Sequence, residues 1–158
     1  ADKPTTWPKA DVPYFVEDGA VLDLTAPINI LAVTEIVFGA NSGLGVYDNG
    51  TFSVAGTSSE KVIFRGMLNA QGYWRGIHSE TNSPANAITH AEIRNAGSNY
   101  VYCCNPVGNI FVRNGQMTVE DSTITGSGGC GLAYDGAATV TASGNTYSGN
   151  ADGNVCQY

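Results

Sequence analysis

Ala91-Glu92-Ile93-Arg94-Asn95-Ala96-Gly97, Asp121-Ser122-Thr123-Ile124-Thr125-Gly126-Ser127 and Gly144-Asn145-Thr146-Tyr147-Ser148-Gly149-Asn150 share one pattern. Each is a short alternating strand with an apolar residue at its centre, followed by a polar turn. Alternation with period two turns every second side chain toward a core. Ile93 to Ile124 spans 31 residues and Ile124 to Tyr147 spans 23, so the pattern recurs at a solenoid-like interval with one insertion. Val101, Leu132 and Val155 follow the three central residues at a common distance and read as a second apolar row.

Other short strand candidates run from Tyr14 through Ser148, rich in β-branched and aromatic residues, and no stretch keeps a helical spacing of apolar positions. Strands this short are marginal in a hairpin sheet. Asn-Gly, a two-residue turn that antiparallel neighbours prefer, occurs only as Asn49-Gly50 and Asn114-Gly115. Winding the strands into coils, each paired with its counterpart one turn later, resolves the difficulty. The expected fold is all-β, a single-stranded right-handed parallel β-helix of about six coils. The 158 residues read as one domain, with 1–12 as an N-terminal cap or linker and about 99–108 as an inserted loop. Asn95, Asn114 and Asn145 are expected to stack as a ladder in a recurring turn, since Asn tolerates the left-handed conformation.

Composition narrows the partners. Net charge is −7, and the seven basic residues are scattered, so a phosphate-binding patch is missing and nucleic acid is not an expected partner. A polyanionic ligand would be repelled unless a cation bridged it. No apolar run reaches the roughly 18 to 20 residues of a membrane span.

Cys103, Cys104, Cys130 and Cys156 lack the spacing of a metal site and read as two disulfides formed in an oxidising compartment: secreted, periplasmic or at the outer cell surface. Three connectivities are open. Cys104 to Cys130 and Cys130 to Cys156 are both 26 residues, which favours at least one bridge between neighbouring coils. Strain disfavours a ring between the adjacent Cys103 and Cys104.

A resemblance sharpens the reading. Asp11-Val12-Pro13-Tyr14-Phe15-Val16, Thr34-Glu35-Ile36-Val37-Phe38, Gly50 to Thr57, Lys61-Val62-Ile63-Phe64, Gly72-Tyr73-Trp74-Arg75-Gly76-Ile77 and Ile88 to Gly97 resemble the right-handed β-helix repeat proteins of the pectate-lyase-like superfamily. The similarity is to bacterial secreted or envelope-attached members without an assigned activity. Gly-x-Trp-x-Gly-Ile is its most specific piece. The resemblance implies a β-helix and makes carbohydrate the first ligand class to test.

Catalytic equipment is thin. The Arg-containing signatures of the lyases, the Asp-Asp and Gly-His-Gly motifs of polygalacturonase-type hydrolases and the acidic-Pro-His cluster of alginate epimerases are all missing. The remaining catalytic candidates are His78, Glu80, His90, Glu92 and Arg94, which could converge at a groove where His serves as acid or base. The plainer reading makes most of them solvated outward positions. Tyr73, Trp74, Tyr100 and Tyr102 are candidate ligand-binding residues, because sugar rings stack on flat aromatic faces. Against this, a Trp beside Gly76 can close a corner of the core.

Glu120, Asp121, Asp135 and Asp152 could hold a structural Ca²⁺, but their spacing matches neither an EF-hand nor a nonapeptide repeat, and no cofactor is expected. Thr123-Ile124-Thr125 and Thr139-Val140-Thr141 suggest hydroxyl rows of the kind that bind ice, without persisting along the chain. The expected function is a non-catalytic secreted or cell-surface module recognising a glycan or an envelope partner. The alternative is a polysaccharide lyase or glycoside hydrolase with divergent motifs. Open solenoid ends would favour self-association.

Overall fold

A computed structural model describes residues 3–101 and 106–158. Among these residues the chain winds through six coils of three short strands each. Coil one holds β1 (Thr5–Trp7), β2 (Tyr14–Val16) and β3 (Val21–Leu24); coil two β4 (Ile28–Leu31), β5 (Glu35–Phe38) and β6 (Gly43–Val46). Coil three holds β7 (Phe52–Ala55), β8 (Val62–Gly66) and β9 (Gly76–Ser79); coil four β10 (Ala87–Thr89), β11 (Ala91–Arg94) and β12 (Gly108–Val112). Coil five holds β13 (Gln116–Glu120), β14 (Thr123–Thr125) and β15 (Cys130–Tyr134); coil six β16 (Thr139–Ser143), β17 (Thr146–Ser148) and β18 (Gly153–Gln157).

The first, second and third strands of successive coils pair in parallel to make sheets A, B and C, each of six strands. The protein is a parallel β-helix. Residues 5–7, inside the stretch read from sequence as a cap or linker, are the first strand of sheet A and pair with Ile28–Ile30.

Register explains why such short strands hold. Ile36, Phe64, Ile93, Ile124 and Tyr147 stand over one another along sheet B. Leu44, Ile77, Ile110, Leu132 and Val155 do the same along sheet C. Apart from Tyr147 and Val155, in the last coil, these side chains are fully buried, and burying each stabilises by about 1.5–3 kcal/mol. Ile110, not Val101, occupies the fourth coil's place in the sheet C row. The insertion after β11 displaces Val101 into the connecting segment, where it is still buried.

The corners have their own chemistry. Val33, His90, Asp121 and Gly144 all take left-handed φ values between sheet A and sheet B. Asn95, Gly126 and Gly149 do so where the chain leaves sheet B. The proposed ladder of Asn95, Asn114 and Asn145 does not form, because the three stand at different corners of the coil. Asn109 and Asn150 bridge instead. Asn109 accepts from the Ala96 amide at 2.8 Å and donates to the Thr125 carbonyl at 3.0 Å. Asn150 accepts from the Ser127 amide at 3.0 Å and donates to the Ile124 carbonyl at 3.2 Å. They satisfy backbone groups that the turn from sheet B to sheet C leaves unpaired.

Cys130 and Cys156 form a disulfide between coils five and six, with Cα atoms 6.2 Å apart. It lies on the outer face of sheet C beside Phe111 and Ala133. Cys103 and Cys104 lie outside the described residues.

Candidate functional site

Arg65 and Arg94 are register partners on β8 and β11, and both point outward from sheet B. Residues on either side, Phe64 and Ile93, point inward, so strand alternation alone sets the two guanidiniums side by side. After β8 the chain leaves the sheet at Gly66, where the Tyr73 ring and the Leu68 carbonyl leave no space for a side chain. The loop that follows carries Met67 and Leu68, about half exposed at 48% and 56%. Between loop and strands lies a cleft of about 260 Å³, lined by Arg65, Gly66, Met67, Leu68, Asn69, Arg94 and Asn95.

The cleft is held from both sides. Asn95 Nδ2 donates to Asn69 Oδ1 at 3.2 Å, and Gln71 Nε2 donates to the carbonyls of Ser127 and Gly149, each at 2.9 Å. The floor is fixed by Trp74, whose Nε1–H donates to the Arg94 carbonyl at 2.9 Å while its ring stacks on Phe38 at 3.9 Å. Walls tied down in this way lose little entropy when a ligand binds.

Each guanidinium has a carboxylate of its own. Arg65 Nε meets Glu35 Oε1 at 2.5 Å, and Arg94 Nη1 meets Glu92 Oε1 at 2.5 Å. Both pairs are partly exposed, so they contribute little to stability. Their effect is to fix the side chains and cancel the local charge.

The catalytic candidates do not converge. His78 and Glu80 lie on the sheet C side, Glu92 and Arg94 lie on sheet B, and His90 sits at the corner between sheets A and B. His78 Nε2 bonds Glu80 Oε1 at 2.8 Å, and the same oxygen accepts from Arg113 Nη1 at 3.2 Å. The His78 ring is flanked by Phe111 and Tyr47, with centroids at 4.9 and 5.8 Å. Its side chain is 1% exposed, so it cannot reach a substrate. Burial pushes the imidazole pKa down, and the Glu80 carboxylate opposes this without reversing it. A neutral ring therefore donates Nε2–H to Glu80. His90 Nε2 lies 3.9 Å from Asp121 Oδ2, a separate surface pair.

Among the aromatic candidates, Trp74 is fully buried and offers no face to a sugar; it belongs to the core. Tyr73 is partly buried and packs against that core. Tyr100, 43% exposed, borders a small cleft with Arg75 and Phe111, while Tyr102 lies outside the described residues. Asp121, Asp135 and Asp152 stand at separate turns, and among the described residues no three His, Cys, Asp or Glu side chains gather as metal ligands would. The Thr rows run for two coils only. Thr123 and Thr125 face Thr146 and Ser148, but the next neighbours are Glu92 and Arg94.

Sequence reasoning found Arg94 but missed Arg65, Met67, Leu68, Asn69 and Asn95 as its companions. The signal was there: Gly66-Met67-Leu68-Asn69 places two large apolar residues in a polar turn where no inward position needs them.

No protein-family model matches the chain, and no curated protein or solved structure is significantly similar to it.

Proposed function

We propose that the chain is a non-catalytic, secreted or cell-surface β-helix module of the pectate-lyase-like type, which recognises a glycan through the sheet B cleft. The observation that carries this reading is the cleft's composition. Planar hydrogen-bonding groups, two guanidiniums and two carboxamides, stand beside an exposed apolar ledge of Met67 and Leu68. Sugars present hydroxyl edges and C–H faces, and a site with a few fixed polar groups beside apolar surface suits both. The engagement of Glu35, Glu92 and Glu80 with arginines favours binding over acid–base catalysis. The disulfide favours an oxidising location.

A glycan array, with product analysis for cleaved sugars, tests this against the lyase or hydrolase alternative. Arg94→Ala and Arg65→Ala should each weaken binding about tenfold or more, the loss expected for a hydrogen bond from a charged donor. Each should change stability by less than about 1 kcal/mol. Unchanged binding in both variants, or cleaved sugar from the wild type, overturns the reading.

A second reading, self-association through the terminal coils, is favoured by inward side chains that remain partly exposed there. Trp7, Tyr14 and Leu22 in coil one and Val140, Tyr147 and Val155 in coil six are these residues. Sedimentation velocity should show association that rises with concentration and disappears in Val155→Lys. A single species at all concentrations contradicts it.

A further inference from the structure

We infer that the cleft takes an uncharged glycan, gripped through neighbouring hydroxyls, rather than a uronate or other acidic sugar. This rests on the cleft being a glycan site and adds which class of glycan it accepts.

The argument starts from how the arginines are used. A guanidinium carries five N–H donors in a fixed fork and is suited to a bidentate carboxylate. Here that capacity is partly spent. Arg65 gives Nε–H to Glu35 and an Nη1–H to the Gly66 carbonyl, and Arg94 gives Nη1 to Glu92. Two arginines against two glutamates leave the local charge near zero. An incoming carboxylate would have to share guanidiniums on which a carboxylate already sits. It would also approach a chain whose net charge is −7.

Hydroxyls meet no such conflict, because each both donates and accepts. Among the described residues Arg65 Nη2 and Arg94 Nε and Nη2 make no hydrogen bond, so the arginine pair keeps these donors. The second carboxylate oxygens of Glu35 and Glu92 make no hydrogen bond among the described residues and remain acceptors. Asn69 and Asn95 share one bond, so Asn69 Nδ2 stays a donor at the cleft. The arginine and asparagine donors thus line a cleft whose other wall, Met67 and Leu68, suits the C–H face of a pyranose, while the Glu35 and Glu92 carboxylates that the guanidiniums hold are not part of its lining. Arg65 and Arg94 are register partners, so strand spacing sets their backbones about 4.8 Å apart, within reach of hydroxyls on one ring or two adjoining rings.

The test is calorimetric titration of the full chain with cellohexaose, mannohexaose and xylohexaose, and with hexagalacturonate and hexamannuronate, at low and physiological ionic strength. Wild type, Arg94→Ala and the double variant Glu35→Gln/Glu92→Gln are compared, and thermal unfolding confirms that each is folded. At least one neutral hexamer should bind about tenfold or more tighter than either uronate, with little dependence on salt. Arg94→Ala should lose that binding, and the double Gln variant should raise uronate affinity and narrow the gap. Tighter, salt-sensitive uronate binding that Arg94→Ala removes would overturn the inference while leaving the cleft a glycan site. If none of the five probes binds in an Arg94-dependent way, the glycan reading of the cleft fails and the inference falls with it.

Discussion

Trp74→Phe separates two roles that one aromatic residue can play beside a sugar-binding cleft. Trp74 is fully buried, stacked on Phe38 with ring planes 9° apart, and donates Nε1–H to the Arg94 carbonyl. Phe keeps one ring of the stack but loses the donor and part of the packed volume. A carbonyl deprived of its partner costs about 1–2 kcal/mol, and the lost ring area with its residual void about as much again, so destabilisation of about 3 kcal/mol is expected. Trp74→Ala should cost about 4–5 kcal/mol. Urea unfolding followed by far-ultraviolet circular dichroism measures both. Under native conditions Trp74→Phe should weaken glycan binding only a few fold, because it loosens the Arg94 backbone without removing a ligand contact. A Phe variant that keeps its stability within about 0.5 kcal/mol and loses binding altogether would refute this reasoning and make the indole a sugar platform.

Three further outcomes follow from the same geometry. Replacing Cys130 and Cys156 with Ser opens a loop of 26 residues and should cost about 3 kcal/mol, with hydrogen exchange rising first in coil six; uniform exchange across the sheets would contradict it. The folded-state pKa of His78 lies below the ordinary 6.5, so the unfolded chain binds the proton first as pH falls. His78 therefore stabilises fully above pH 6.5 and progressively less below it; His78→Gln should flatten this part of the urea-midpoint profile. Gly76 has φ +122°, and a Cβ there would overlap the Gly108 carbonyl oxygen. Gly76→Ala should destabilise by more than about 2 kcal/mol, measured by thermal unfolding.

The fold was legible because a solenoid writes its register into sequence. Ile93, Ile124 and Tyr147, which stand out at irregular intervals along the chain, occupy one row of sheet B. A core position that meets its own counterpart one coil away must stay apolar whatever the intervening loops do. Val101 misleads for the same reason. It lies in an insertion, and the residue that answers Leu132 is Ile110. Gly72-Tyr73-Trp74-Arg75-Gly76-Ile77, the most specific motif, is architectural. Gly72 and Gly76 take positive φ, and Trp74 plugs the core.

The cleft was harder to read, since Arg65 and Arg94 become neighbours only through strand pairing, and each resembles an ordinary solvated position within its own strand. His78 shows the converse. Its outward place in β9 suggested exposure, but Phe111 packs against its ring and the buried Val101 and Pro106 line a small cleft with it.

The claim on which fold and site both depend is that Arg65 and Arg94 stand side by side on adjacent parallel strands. Arg65→Cys with Arg94→Cys, treated with a bifunctional thiol reagent of about 5 Å span and mapped by peptide mass spectrometry, measures it directly. Rapid linkage of the two positions within the native monomer is the result expected. Failure to link them, while each single cysteine reacts freely, would contradict the register and remove the cleft.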